Sequence, residues 1–364
     1  MAKIAAVHNA VAALKPKPEK RRPGLSSGST LLNLACSERT DEAFYPGRVY
    51  QLVGDSSSGK SILTLGCMAE ANVNPAFKDY DLIYDDAENG AFFDFGKFFG
   101  PTLAGRVKAP RIMNGVNKYS EYLEDFYDAL DDLYRAKRPF VYVLDSMDVL
   151  WPREDSKKYS DQKKVRRKNE AKGTEEKEGG SFGMAKAKRN SELLRVAVPK
   201  IRATGSILII VSQAKTSMDA YGDGKTSAGG LALKFYSSLQ MWSSVGGHIK
   251  RKVGIREREL GIKSVVRIKK NRQTGKDRKI MVPILHSVGL DDTGSMVEYL
   301  IEEGWWKKGD KGYNAKEFGY KGNSESLVQQ IEANGDEVEL KAIVKACWAD
   351  IEAKCQVDRK RRYT

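Results

Sequence analysis

Cysteine and histidine are scarce in this 364-residue sequence, with four of one and three of the other. Cys36, Cys67, Cys347 and Cys355 are widely scattered and form no C-x-x-C pair. That argues against a disulfide framework or a zinc site and suits a reducing compartment. His8, His248 and His286 are too dispersed to suggest a metal cluster. No apolar run approaches the length that crosses a bilayer. The opening MAKIAAVHNAVAALK lacks the basic start and unbroken apolar core of a signal peptide. A cytoplasmic protein away from membranes is the expectation. Acidic residues are the minority charge, since 48 Asp and Glu stand against 62 Lys and Arg, a formal net charge of +14. An excess of that size favours a polyanionic partner. With 41% hydrophobic and 30% charged residues, the chain reads as one large globular domain with appendages.

The rest of the chain is organised around residues 48–64, RVYQLVGDSSSGKSILT. Residues 49–53 are a short, largely apolar run of the kind that forms a buried parallel strand. Gly54, Asp55, Ser56, Ser57, Ser58, Gly59, Lys60 and Ser61 follow at once and fit G-x-x-x-x-G-K-[ST], the phosphate loop. Residues 62–71 then carry helix-forming apolar spacing. Successive backbone N–H groups, with a helix N-terminus behind them, make a positive concavity for a triphosphate. Gly54 and Gly59 allow the tight turn, Lys60 reaches the outer phosphates, and the Ser61 hydroxyl ligates Mg²⁺.

Further along, apolar strands alternate with helices. Residues 81–84 end in Asp85-Asp86-Ala87-Glu88, 119–136 have helical spacing, and 140–144 end in Asp145-Ser146. Residues 193–203 read as a helix kinked at Pro199, and 207–211 as a strand ending in Ser212-Gln213. The pattern indicates an α/β fold, a mostly parallel sheet covered on both faces. Ligands of such sheets bind outside the carboxyl ends of the strands, where Glu88, Asp145 and Gln213 all fall. Asp145 suits a carboxylate that holds Mg²⁺ through water. Glu88 suits a general base on a water attacking the γ-phosphate, and the Gln213 amide suits a γ-phosphate sensor.

Two segments leave that edge. Residues 157–189 carry twelve Lys and Arg against five Asp and Glu, half the net charge of the chain, without hydrophobic periodicity. They read as a mobile loop. Residues 214–230, AKTSMDAYGDGKTSAGG, form a second, glycine-rich loop with Lys215 and Lys225. A basic run is often a solvated surface, but two basic loops beside one nucleotide edge can face one polyanion. Phe182 and Tyr221 offer stacking faces to bases. At the other end of the chain, Ile4, Val7, Val11 and Leu14 give residues 2–14 a narrow apolar helical stripe. The tether KPKPEKRRP follows it. So short a helix docks either on its own domain or on a neighbouring subunit.

Residues 229–236, GGLALKFY, closely resemble the GGxALKFY signature that follows the second DNA-binding loop of RecA recombinases. The phosphate loop GDSSSGKS is similar to that family's GPESSGKT, Asp86-Ala87-Glu88 to its D-A-E, Asp145-Ser146 to its second Walker site, and Gln213 to its switch glutamine. Residues 266–272, VRIKKNR, resemble its VKVVKNK run, and 301–320 resemble the start of its small C-terminal domain. The resemblance covers roughly residues 25 to 350, with the motifs in the same order.

It implies a RecA-like ATPase core with a short N-terminal helix and a small α/β C-terminal domain. The expected division is 1–29 for the helix and tether, 30–290 for the core with DNA loops at about 153–190 and 214–230, and 291–364 for the C-terminal domain. It further implies ATP and Mg²⁺ as cofactors, and a helical homo-oligomeric filament on single-stranded DNA that pairs it with homologous double-stranded DNA. Lys270 and Arg272 would complete the ATP site of the adjacent subunit, as an arginine finger does. Gly229 and Gly230 close the second DNA loop, and Lys186 and Arg195 match basic DNA-binding positions approximately. Three departures stand out: the insertion at 157–177, Phe92 and Phe95 on the adenine side, and the basic end RKRRYT where an acidic tail is usual. A divergent member, from a bacterium or a bacteriophage, accounts for all three. Two other readings use the same fold or loops: a ring-forming helicase or motor, and a non-catalytic single-strand-binding accessory.

Overall fold

A computed structural model describes residues 22–90, 95–170, 182–216, 225–227, 230–310 and 312–359. The expected helix over 2–14 and nearly all of its tether lie outside these residues. In chain order the strands are β1 (Arg48–Gly54), β2 (Asp81–Asp86), β3 (Val107–Lys108), β4 (Arg111–Met113), β5 (Val116–Lys118), β6 (Phe140–Asp145), β7 (Ile207–Thr216) and β8 (Lys225–Ser227), then β9 (Leu239–Val253), β10 (Arg256–Asn271), β11 (Lys279–Leu285), β12 (Gly289–Leu290), β13 (Lys308–Gly309), β14 (Gly312–Ala315) and β15 (Tyr320–Gly322). Among the described residues one ten-stranded sheet runs β12-β11-β10-β9-β1-β7-β6-β2-β3, with β8 added on β7. The block from β9 to β3 is parallel, and β9 to β12 is antiparallel.

β1 and β6 are buried along nearly their whole length, as strands covered on both faces must be. One face packs Leu52, Val141, Val143, Ile209 and Val211 against Leu63, Leu65 and Met68 of helix α2 (Lys60–Val73; α1 is Thr30–Ser37). After the short α3 (Phe95–Phe99) and α4 (Pro101–Arg106), α5 (Leu123–Arg135) lays Leu123, Phe126 and Leu130 on the other face, against Tyr142, Leu144, Leu208 and Ile210. Truncating Phe126, which is fully buried, to alanine would cost about 3–5 kcal/mol.

The sheet is therefore the mixed, mostly parallel α/β type expected. Two expectations change. The stretch read as a mobile loop is largely helical, with α6 (Arg153–Glu170) and α7 (Phe182–Thr204) flanking undescribed residues 171–181. α6 has no apolar stripe for periodicity to detect, but its Lys, Arg, Glu and Gln are good helix formers. Its first turn is pinned, since the Arg153 N–H donates to Glu124 at 3.0 Å and its guanidinium pairs with Asp125. Lys158 pairs with Glu154 one turn back at 2.8 Å. α7 starts well before residue 193 and continues through Pro199, a position where only one helix bond is forfeited. The strand expected to end at 211 runs on to Thr216 and turns back through β8, so the second loop begins as a β-ribbon.

α8 (Gly230–Tyr236) leads into β9 and β10, of 15 and 16 residues, which continue as a two-stranded ribbon beyond the sheet. α9 (Asp292–Glu302), α10 (Ser324–Asn334) and α11 (Glu337–Lys354) share a third core, where Met296, Val297, Leu300, Ile331, Leu340 and Val344 pack on Leu31 and Leu34 of α1. Asp292 ties the same junction, its two oxygens accepting from the Thr30 N–H at 2.6 Å and the Thr30 hydroxyl at 2.8 Å.

Candidate nucleotide site and its flanking basic segments

β1 runs directly into the turn 55–59 and then α2. Two glycines make that turn possible. A Cβ on Gly54 would lie 2.0 Å from the Ser243 hydroxyl of β9, and one on Gly59 would lie 2.2 Å from Ile284 of β11. Gly59 also has φ +86°, where L side chains are strained. Hydroxyls from the sheet clamp the loop: Ser58 and Ser243 share a bond of 2.8 Å, and the Ser264 hydroxyl donates to the Ser58 carbonyl at 2.7 Å. Ser58 thus faces inward, whereas Ser56 and Ser57 are exposed at the tip and Asp55 is half-buried. α2 has no side-chain cap, which leaves its first-turn N–H groups to an anion.

Lys60 Nζ donates to the Gly54 carbonyl at 3.2 Å and the Asp55 carbonyl at 2.7 Å. Burial pulls its pKa below the ordinary lysine value, and the charges of Asp145 and Glu88 oppose that shift. The Ser61 hydroxyl donates to Asp145 Oδ2 at 2.7 Å, and the Tyr84 hydroxyl donates to the same oxygen, also at 2.7 Å. Burial raises the pKa of Asp145, which is 5% exposed, while these two donors lower it. A serine oxygen with its proton on a carboxylate keeps its lone pairs for a hard cation, so Ser61 and Asp145 fit Mg²⁺ beside an anion cradle.

Glu88 lies at the same edge, its N–H donating to the Asp145 carbonyl at 3.1 Å. Its Oε1 accepts from the Ser146 hydroxyl and from Gln213 Nε2, the latter at 3.2 Å. The structure therefore brings Lys60, Ser61, Glu88, Asp145 and Gln213 together.

Lys270 and Arg272 lie elsewhere. Lys270 pairs with Gln240, which pairs with Gln51 at the middle of β1, and Arg272 is bonded at the level of Ser238 and Val49 near its amino end. There Lys270 Nζ donates to the carbonyls of Lys234 and Phe235, and Arg272 to that of Phe235 at 2.8 Å, at the end of α8. Burial, helped by the charges of Arg272 and Lys234, pushes the Lys270 pKa down to about 8.

The DNA-binding expectations divide. Lys215 and Arg195 are exposed, Lys225 begins β8, and Gly230 opens α8 with φ +72°. Phe182 begins α7, while Tyr221 and Gly229 lie outside the described residues. So does Phe92 on the adenine side, and Phe95 begins α3. Lys186 is half-buried. Its ammonium turns inward to the carbonyls of Met147 at 2.8 Å and Asp148 at 2.9 Å, where burial pushes its pKa down to about 8.

Sequence reasoning missed Tyr84, Asp148, Ser243 and Ser264, and it gave Ser146 and Ser58 none of the contacts described here. Tyr84 had one usable signal. It pairs with Val143, so Asp145 is its diagonal neighbour on the same face, but that needs the register of two strands.

Fold and loop together define an α/β phosphate-loop protein with a large, mostly parallel central sheet, consistent with a RecA-like core. No family model matches the chain. Among curated proteins it is similar to protein RecA of Rhizobium leguminosarum bv. viciae, 24% identical over 300 residues that cover 81% of this chain and 75% of the relative. Protein RecA of Rhizobium etli is likewise 24% identical, over 81% of this chain and 73% of its own. Protein RecA of Pseudomonas putida is 25% identical over 329 residues, covering 87% and 80%. This likeness supports a RecA-like protein without fixing which member it is. Among the described residues no helix is long and apolar enough to cross a membrane.

Proposed function

We propose that this chain is an ATP-dependent DNA recombinase, which forms a helical filament on single-stranded DNA and pairs it with a homologous duplex. The observation that carries the reading is the unbroken run of contacts from Ser61 through Asp145 and Glu88 to Gln213, the residue from which β7 enters the second basic segment. A change at the phosphates can then reach the segment that grips DNA.

Within this reading, the N–H groups of the loop and first turn of α2 bind the phosphates of ATP, and Lys60 leaves its two carbonyls to neutralise the outer ones. Ser61 and Asp145 hold Mg²⁺, which when bound neutralises charge on the phosphate oxygens. Glu88 takes the proton of the attacking water. Ser146 fixes one oxygen of that carboxylate, and Gln213 links its position to β7. Lys270 and Arg272 serve the site of a neighbouring copy, stabilising charge in trans. Such a head-to-tail contact that does not close generates a filament. The segment 1–29 docks subunits, 30–290 is the ATPase core, and 291–364 is an accessory domain. The setting is the cytoplasm of a bacterium or of a phage-infected host.

ATP hydrolysis with and without single-stranded DNA, combined with electron micrographs, tests the proposal. Stimulated hydrolysis on filaments supports it. Closed rings would point to a helicase or motor of the same fold, and DNA binding with no hydrolysis to a non-catalytic accessory.

A further inference from the structure

Asp148 stands three positions beyond Asp145, in the turn after β6, and matches none of the residues assigned above. Its side chain is only 9% exposed. Oδ2 accepts the main-chain N–H of Gln213 at 2.6 Å. Oδ1 is buried and accepts no hydrogen bond among the described residues, although Lys215 Nζ faces it at 3.9 Å. The carbonyls of Asp148 and Met147 hold Lys186 of α7. One aspartate thus touches the sensor, the first cation of the second basic segment and the helix that closes the first.

A buried carboxylate with an unbonded oxygen is costly unless charge beside it compensates. Lys186 supplies part of that charge from its pinned position on two carbonyls, and Lys215 supplies the rest from an exposed one, its side chain 60% accessible. It is therefore the cation that a nucleic-acid phosphate can draw away. Once Lys215 turns to a phosphate, the Asp148 carboxylate keeps the Gln213 N–H as its main bond and loses its ion pair, with the charge of Lys186 as its remaining compensation. Gln213 in turn holds Glu88.

We propose that Asp148 is a positioning residue that couples the grip on DNA to the hydrolytic edge, with Lys215 answering either to Asp148 or to a DNA phosphate. This rests on the reading of the chain as a DNA-stimulated ATPase. Asp148→Asn keeps the shape and the acceptor for Gln213 but removes the charge that Lys215 answers to.

The test compares wild type, Asp148→Asn, Lys215→Ala and the double variant. The readouts are binding of a fluorescent ATP analogue, anisotropy of a labelled oligo(dT), and the ratio of hydrolysis rates with and without that oligonucleotide. Asp148→Asn is expected to leave analogue affinity near wild type, tighten oligo(dT) binding by about fivefold, the upper range for an exposed ion pair, and lower the stimulation ratio. The tightening should vanish in the Lys215→Ala background, because the two groups act as one pair. A tightening that persists there, or an unchanged stimulation ratio in a stimulated wild type, overturns this inference alone. A wild type that oligo(dT) does not stimulate overturns the functional reading with it. If Asp148→Asn fails to fold, Lys215→Met carries the test from an exposed position. It must lower the stimulation ratio at saturating DNA, and weaker binding with a preserved ratio refutes the coupling.

Discussion

At the carboxyl ends of β6, β2 and β7, hydroxyls, carboxylates and an amide bond one another side chain to side chain, Ser61 to Asp145 and both Ser146 and Gln213 to Glu88. Level with the middle and the amino end of β1, Lys270 and Arg272 rest on main-chain carbonyls at the end of α8. The first edge is a network in which each group fixes another. The second is a pair of cations parked on a helix C-terminus, where the backbone dipole favours positive charge while burial and the repulsion of Arg272 and Lys234 oppose it at Lys270. Gly54 lies three residues beyond Gln51 along β1, about 10 Å, and Arg272 is bonded at the level of Ser238 and Val49, about 16 Å back. Those cations cannot serve their own loop. On the proposed reading, one molecule would carry the two halves of a site at different levels of its sheet.

The largest effect tests that separation. Replacing both Lys270 and Arg272 by alanine should lower DNA-stimulated hydrolysis by about 10³-fold, the lower range for a trans-acting cation, with little change in melting temperature. Mixing this variant with Lys60→Ala protein should restore part of the phosphate release, because each supplies the half the other lacks. A mixture with no recovery would break the comparison.

Glu88→Gln should slow hydrolysis by about 10²-fold or more while a fluorescent ATP analogue still binds. Loss of analogue binding would show that Glu88 shapes the cradle rather than the chemistry. Deleting residues 157–177 should weaken single-strand binding and flatten its salt dependence, by about 0.7 of a log unit for each phosphate that the shortened protein leaves unneutralised. An unchanged slope in an anisotropy titration would make α6 a solvated helix.

The smallest effect concerns pH. With its pKa pushed down to about 8, the Lys270 ammonium is present below that value and lost as pH rises through it. Hydrolysis should therefore be about halved near pH 8 and fall about tenfold by pH 9. Lys270→Arg, which stays charged, should extend the plateau upward, and identical profiles for the two proteins would remove Lys270 from the reaction.

The parallel half of the sheet was legible because its strands are unbroken apolar runs ending in polar residues, as 140–145 and 207–213 show. A strand covered on both faces has few other compositions available to it. α6 was not legible, because charged helix formers without an apolar stripe share the composition of solvated loops, and what fixes its start is Arg153 meeting Glu124 and Asp125 nearly thirty positions away. The grouping of Glu88, Asp145 and Gln213 followed from a general rule about strand ends. Asp148 followed from no rule, since its partners Gln213 and Lys215 lie 65 and more positions away on a neighbouring strand. The inward turn of Lys186 was not legible either, because a lysine in a basic run carries no sign that its ammonium lies on two carbonyls.

β9 leaves β1 at Ser243, beside the serines that hold the phosphate loop, while β10 stays paired with β11 as far as Gly261. Ser243 accepts from Asp55 and touches Ser58, and Ser264 reaches Ser58 from the second strand. Gly261 pairs with Ile249, so the part of β9 that runs on as a two-stranded ribbon, from Ile249 to Val253, is four residues, about 13 Å of extended chain. Register irregularities between Glu259 and Gly261, and between Lys263 and Ser264, flank the point of exit. The arrangement is a short arm rooted on β10 and β11, the strands whose Ser264 hydroxyl holds the Ser58 carbonyl and whose Ile284 lies against Gly59. A tilt of about 5° at that root swings the tip at Gly254 and Ile255 by only about 1 Å, so whatever rests on the tip and whatever fills the loop share one stiff base.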